Sequence, residues 1–331
     1  MKTPVSSRSE SVLANMDQQS PSQSVLAVDL GGTHLRAALV QRTGAISLQL
    51  KHDTPKGDDV DSLVDALTAA ARELDARVED DLVSAAIMVP GRVDLARMNV
   101  VQAPNLPCLD NFPLKQVLEE KLLVPVLLEN DANAAAVGEM WMGAARGARN
   151  VICITLGTGV GGGIILDGKL WRGTDGSAGE IGHTTVDPFG GPPCKCGNTG
   201  CLEMFASATA IVRMTKELLP HYPNSVLHNQ CVTAAKVYDA GQQGDELATE
   251  AFRTMGRYLG VGLANLINIL GPEVIVIGGG VADGWTLFEA DMHEQIRQRA
   301  FPSLVKHVKI KPAECGDNAG LLGAAKLAFD K

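Results

Sequence analysis

Aromatic residues make up only 4% of the chain, and Lys+Arg (29) are outnumbered by Asp+Glu (38), for a formal charge of −9. With few stacking platforms and no basic excess, nucleic acid is excluded as the main partner. No apolar run approaches the ~20 residues that a transmembrane helix requires, so no membrane is expected either. Seven cysteines among 331 residues are too few and too unevenly placed for a disulfide scaffold. The N-terminus lacks the ordered basic, apolar and small-residue regions of a secretory signal, so the expected compartment is the cytoplasm. What is present is 45% hydrophobic residues, 20% charged residues and 35 glycines. That composition describes a globular protein able to bury a sizeable core, rich in tight turns and suited to small-molecule partners.

At ~150 residues per domain the length suggests about two domains. Residues 1–24 carry seven serines and two prolines without apolar periodicity, and read as a disordered tail. Order is expected from Val25. The run VLAVDLGGTHLRAALV (25–40) reads as strand, glycine turn, strand, and VICITLGTGVGGGIIL (151–166) repeats it 126 residues later. Superposed, Asp29 faces Thr155 and Gly31 faces Gly157, which points to a duplicated fold, although any glycine-punctuated hairpin looks similar. Apolar spacing predicts a helix over 60–78 and strands over 81–91 and 122–130. A helix follows from near Asp131, and another over 255–270 is stopped by Gly271-Pro272. A buried strand over 273–282 completes an α/β alternation.

Two familiar phosphate patterns fail on context. Gly157-x-Gly159-x-x-Gly162 has dinucleotide spacing, but apolar residues follow where a helix should open. Gly163 to Gly168-Lys169 has P-loop spacing, but Leu170 stands where a magnesium-binding hydroxyl belongs. A different device survives. In Asp29-Leu30-Gly31-Gly32-Thr33 the glycines admit backbone N–H groups to an anion, and Thr33 adds a hydroxyl. Asp29 suits Mg²⁺ or its waters. Gly157, Thr158 and Gly159 repeat the turn, and Gly278-Gly279-Gly280 ends a third strand. Each alone is also an ordinary turn; three together point to a nucleotide cleft between domains.

His183, Cys194, Cys196 and Cys201 supply one imidazole and three thiols within nineteen residues, a set that closes a tetrahedral structural Zn²⁺ site. Glu180 lies three residues before His183 and could share a helical face with it. Glu203 follows close behind the last cysteine, so the zinc would fix its position. Glu129-Asn130-Asp131-Ala132-Asn133 spans a strand-to-helix junction. There the acidic residue serves equally as a helix N-cap or as a general base, and sequence alone leaves both open.

These segments, DLGGT (29–33), PG (90–91), NLP (105–107), ENDANAAA (129–136), LGTGVGGG (156–163), EIGH (180–183), CKCGNTGCLE (194–203) and VIGGGV (276–281), resemble the ROK family. That family holds sugar kinases and related repressors of the actin-like ATPase superfamily, and the chain is most like its zinc-containing glucose kinases. The resemblance implies a duplicated actin-like, ribonuclease H-like α/β fold with an interdomain cleft. It implies a small domain at 25–131 completed by a C-terminal helix at 317–331. A larger domain at 132–316 would carry the zinc segment 183–201. It makes Asp131 the base, with Gly91, Asn105, Asn130, Glu180, His183 and Glu203 on the sugar. Asp29, Gly31, Gly32, Thr33, Gly157, Thr158, Gly159, Gly279 and Gly280 would serve ATP with Mg²⁺. D-glucose is the first expected substrate, with fructose, mannose and N-acetylhexosamines as alternatives, and a homodimer or homotetramer is implied. Repressors of the family carry a helix-turn-helix domain, for which about 24 residues before the first strand leave no room.

Overall fold

The computed structural model describes residues 23–56, 59–77, 81–94 and 99–331. The tail reading, through residue 22, and Val78 of the first helical run lie outside them. The first half runs β1 (Gln23–Leu30), β2 (His34–Gln41), β3 (Ile46–Asp53), α1 (Val60–Asp75), β4 (Asp81–Val89), β5 (Arg92–Asp94), β6 (Asn99–Gln102), α2 (Leu114–Leu122) and β7 (Val126–Asn130). Helix α3 (Asp131–Met142) leads into β8 (Val151–Leu156), β9 (Val160–Leu166) and β10 (Lys169–Leu170). Helices α4 (Glu203–Ala206), α5 (Ala208–Leu218), α6 (Ala234–Gln242) and α7 (Glu246–Leu270) follow. The chain closes with β11 (Val274–Gly278), α8 (Trp285–Arg299), α9 (Pro302–Val305), β12 (Lys309–Pro312) and α10 (Ala319–Phe329). Among the described residues no helix is long and apolar enough to cross a membrane.

The two main sheets have the same topology. One is ordered β3-β2-β1-β4-β7 and the other β10-β9-β8-β11-β12. In each, the first strand is antiparallel to the second and parallel to the fourth. Asp29 and Thr155 stand at the same place, one residue before the end of the leading strand. The leading strands are buried almost throughout, as central strands must be, whereas β3 alternates half-buried and exposed positions at a sheet edge.

Several boundaries differ from the sequence reading. Strand β1 already starts at Gln23, so Gln23 and the fully buried Ser24 belong to the sheet and not to the tail read over 1–24, because they pair with Asp81 and Leu82 of β4. Strand β4 ends at Val89 rather than 91. The strand expected from 122 starts at Val126, because Leu122 closes α2 and Leu123 turns the chain with φ 57°. Helix α7 begins at Glu246, not 255, because Asp245 caps it by accepting the Ala248 N–H at 3.0 Å. The strand expected to reach 282 stops at Gly278, since Gly279 takes φ 85° and a 3₁₀ turn follows.

Helices α3 and α10 cross where the two halves meet. Helix α10 packs on β1 and β4, and α3 packs on β8 and β9. At the crossing the backbones touch: a Cβ at Gly138 would overlap the Ala319 carbonyl oxygen, and one at Gly323 would overlap that of Ala134. Immediately after Gly138, buried Glu139 accepts N–H bonds from Ala144 (2.9 Å), Glu314 (3.1 Å) and Cys315 (2.8 Å). That carboxylate anchors the end of α3 to the segment leading into α10. Forcing even a methyl group into this crossing must move a helix. We expect Gly323→Ala to lower the unfolding free energy by about 2–3 kcal/mol in urea titration. An unchanged midpoint would mean that the helices do not touch.

Candidate active site

A cleft of about 750 Å³ opens between the ends of the two sheets. Gly31, Gly32, Gly91, Asn105, Asn130 and Asp131 line it from one half; Gly157, Thr158, Gly159, Glu180, His183, Glu203 and Gly279 line it from the other. Beside it a recess of about 210 Å³ holds Asp29, Arg36 and Asp317, and shares Asp131, Thr155 and Gly279 with the cleft. Thr33 and Gly280 are exposed beside the cleft and do not line it.

The junction at 129–133 separates the two roles that sequence left open. Asn130, with extended backbone, is the N-cap of α3, its Oδ1 accepting the Asn133 N–H at 3.1 Å. Its Nδ2 donates to the Gly91 carbonyl at 3.1 Å, so one amide hydrogen remains for a ligand. Asp131, the first helical residue, is thereby free of the capping role. Its carboxylate accepts the adjacent Ala132 N–H at 2.8 Å and the N–H of its own residue. Asp131 is exposed to the cleft, with protein crowded around the other sides of its carboxyl. Burial, with the nearby charges of Asp29 and Glu180, pushes its pKa up to about 6 against the pull of the Ala132 amide. A carboxyl poised there is ionised at neutral pH and still basic enough to take a proton.

Asp29 is held by Arg36, whose Nε donates to Oδ2 at 3.1 Å and whose Nη2 makes a second, short bond to the same oxygen. Arg36 also donates to the Asp317 carbonyl at 2.8 Å. Sequence reading did not single out Arg36. Its register opposite Asp29 across the β1–β2 hairpin was the available signal.

The second glycine turn is wired to the far wall. Glu203 Oε2 accepts the Val160 N–H at 3.0 Å and sits where a Cβ on Gly159 would be. Gly279 needs its missing side chain twice, for φ 85° and for the Leu156 backbone that a Cβ would strike.

Glu180 and His183 do share a face, on a 3₁₀ turn (Ile181–His183) rather than an α-helix. His183 Nε2 lies 4.0 Å from Glu180 Oε2, while Nδ1 lies 3.5 Å from Cys194 Sγ. Cys196 and Cys201 bring their sulfurs to 3.7 Å, and all four ligand atoms of the cluster fall within 4.8 Å of one another. Metal–sulfur bonds of about 2.3 Å place two thiolates of a tetrahedral ion about 3.8 Å apart, so the spacing fits one. The imidazole thus turns one nitrogen to the thiols and the other to the cleft.

The profile of the ROK family matches residues 25–331. The chain is 39% identical over 313 residues to a glucokinase of Halalkalibacterium halodurans, covering 91% of this chain and 94% of that protein. A ROK family glucokinase from Streptomyces griseus, solved with glucose and AMPPNP, superposes with TM-score 0.80 at 37% identity, covering 93% of this chain and 100% of the other. A xylose repressor of Caldicellulosiruptor bescii is 32% identical over 314 residues, 92% of this chain and 78% of the repressor.

A raised carboxyl pKa means that the folded protein holds the ionised form at a cost. That cost is fully present above pH 6 and fades as pH falls from about 6 toward the ordinary aspartate range. Asp131→Asn is therefore expected to raise the thermal midpoint at pH 8 and to lose most of that gain near pH 4. A lower midpoint at pH 8 would show that the carboxylate is well solvated.

Proposed function

The chain belongs to the ROK family, and from that membership we propose that it is an ATP-dependent kinase of D-glucose, yielding glucose 6-phosphate. The observation that carries the chemistry is Asp131, a carboxyl with its pKa near 6 placed where the recess meets the sugar-sized front of the cleft. ATP lies with its phosphates against the turns at Gly31–Gly32 and Gly157–Gly159, and its nucleoside toward Gly279. The hexose occupies the front, its hydroxyls bonded by Asn105, Asn130, Glu180, His183 and Glu203, with Gly91 close by.

Asp131 accepts the proton of the attacking hydroxyl as its oxygen bonds to the γ-phosphorus and the bond to ADP breaks. The protein does this chiefly by alignment and charge placement. Mg²⁺ would be held by the Asp29 oxygen that Arg36 leaves free, and would supply countercharge to the phosphates. Zn²⁺ would be held by His183, Cys194, Cys196 and Cys201. With four protein ligands it would act as structure only, fixing the tautomer and direction of His183 and the start of α4 at Glu203.

The fold divides for this purpose into a small domain, 25–131 with the C-terminal helix, and a large one, 132–316. The reading is tested by ADP release from Mg-ATP against glucose, fructose, mannose, N-acetylglucosamine and N-acetylmannosamine, with the product identified. Glucose is expected to dominate; another sugar in its place would move the specificity, and silence on all five with sugar bound would favour a sensor. Asp131→Ala should cost roughly 10²–10⁴-fold in turnover while sugar still binds. Elemental analysis should find one zinc per chain, and Cys194→Ala should lose it and raise the sugar KM. A zinc-free variant with unchanged KM would remove the metal from the argument.

A further inference from the structure

Glu129, one residue before the end of β7, is only 4% exposed. It is not among the residues lining the cleft. Buried carboxylates need partners. Here Oε1 accepts the Asn130 backbone N–H and the Asn133 Nδ2, both at 3.0 Å. Oε2 takes two donors from one arginine, Arg172 Nε at 2.8 Å and Nη2 at 2.7 Å. Arg172 belongs to the other half of the molecule. It stands at the neck of the segment 172–180 that follows β10 and delivers Ser177 and Glu180 to the cleft. That neck is closed on itself by the Ala178 N–H donating to the Arg172 carbonyl at 3.1 Å. Three glycines of the segment take positive φ: Gly173 (71°), Gly176 (90°) and Gly179 (94°).

We propose that Glu129 and Arg172 are positioning residues for sugar binding: their buried pair fixes the glycine-rich segment carrying Glu180 against the strand end carrying Asn130 and Asp131. The inference rests on the sugar-kinase reading above. One carboxylate holds both sides of the site. Through Asn133 it also reaches the Asn130 cap, and through Asn130 the Gly91 carbonyl. The network therefore sets the spacing between sugar contacts of the two halves. It touches neither glycine turn, so it has no hold on the nucleotide.

This makes a split that a purely structural pair does not make. With the tie cut, the sugar walls lose their mutual placement and the phosphate turns keep theirs. Arg172→Gln is expected to raise the glucose KM and the calorimetric Kd for glucose without ATP by roughly tenfold. The ATP KM should stay within about twofold. Arg172→Lys, which keeps the charge, should recover part of the loss. Because an unpaired buried carboxylate can unfold the protein, the neutral double variant Glu129→Gln/Arg172→Gln is measured beside it, with the same KM split expected. Wild-type turnover with an unchanged glucose KM in the folded variants, or equal rises in both KM values, overturns the inference and leaves the kinase reading standing. A wild-type protein that neither binds nor phosphorylates any sugar of the panel overturns both.

Discussion

Helix α3 lies against α10 with no side chain between them at Gly138 and Gly323, and much of the molecule follows from that contact. Close backbone approach lets one helix serve both halves. Its body rests on β8 and β9, its partner helix lies across β1 and β4, and its last turn is anchored by Glu139. Its first residue is Asp131. Whatever fixes the helix crossing fixes where that carboxyl points.

The same arrangement explains the electrostatics of the cleft. Asp131 feels the charges of Asp29 in the recess and of Glu180 across the cleft, and it carries the consequence because, unlike Asp29, it has no arginine beside it. Asp29 is neutralised in place by Arg36, whose guanidinium lies on the neighbouring strand and also grips the carbonyl before α10. The cluster of His183, Cys194, Cys196 and Cys201 is built differently. It brings three thiols and an imidazole together on turns, tied by backbone bonds such as Val186 N–H to the Gly200 carbonyl (2.8 Å) and Leu202 N–H to the Thr184 carbonyl (2.9 Å), and hands the chain to Glu203 at the start of α4.

The local features were legible in the sequence, and the long-range ones were not. Glycine turns and the His/Cys set are written in consecutive residues, and the repeat of strand, turn and strand announced the duplication that both sheets display. The cap at Asn130 was ambiguous because Asn and Asp are equally good at capping; only the backbone angle before α3 separates them. The late start of β7 was hidden by a continuous run of apolar residues across Leu122 and Leu123. The early start of α7 was announced by the capping Asp245 and passed over because the denser apolar run begins only at Met255. Glu139 gave no signal, because its partners at 314 and 315 lie about half the chain away. Glu129 and Arg172 were invisible as a pair for the same reason. Residues whose partners are fixed by tertiary packing have no local spacing to betray them.

The matching positions of Asp29 and Thr155 carry one more consequence. The two sheets repeat one strand order, and both residues line the same recess. An aspartate at each would set two anions against a polyanionic ligand, with only one arginine to offset them. Two threonines would leave no anchor for a cation. The repeat had to be broken at this pair for the site to work at all. The halves of this repeat are therefore not interchangeable, and a chain built from two copies of either one would keep the architecture and lose the chemistry.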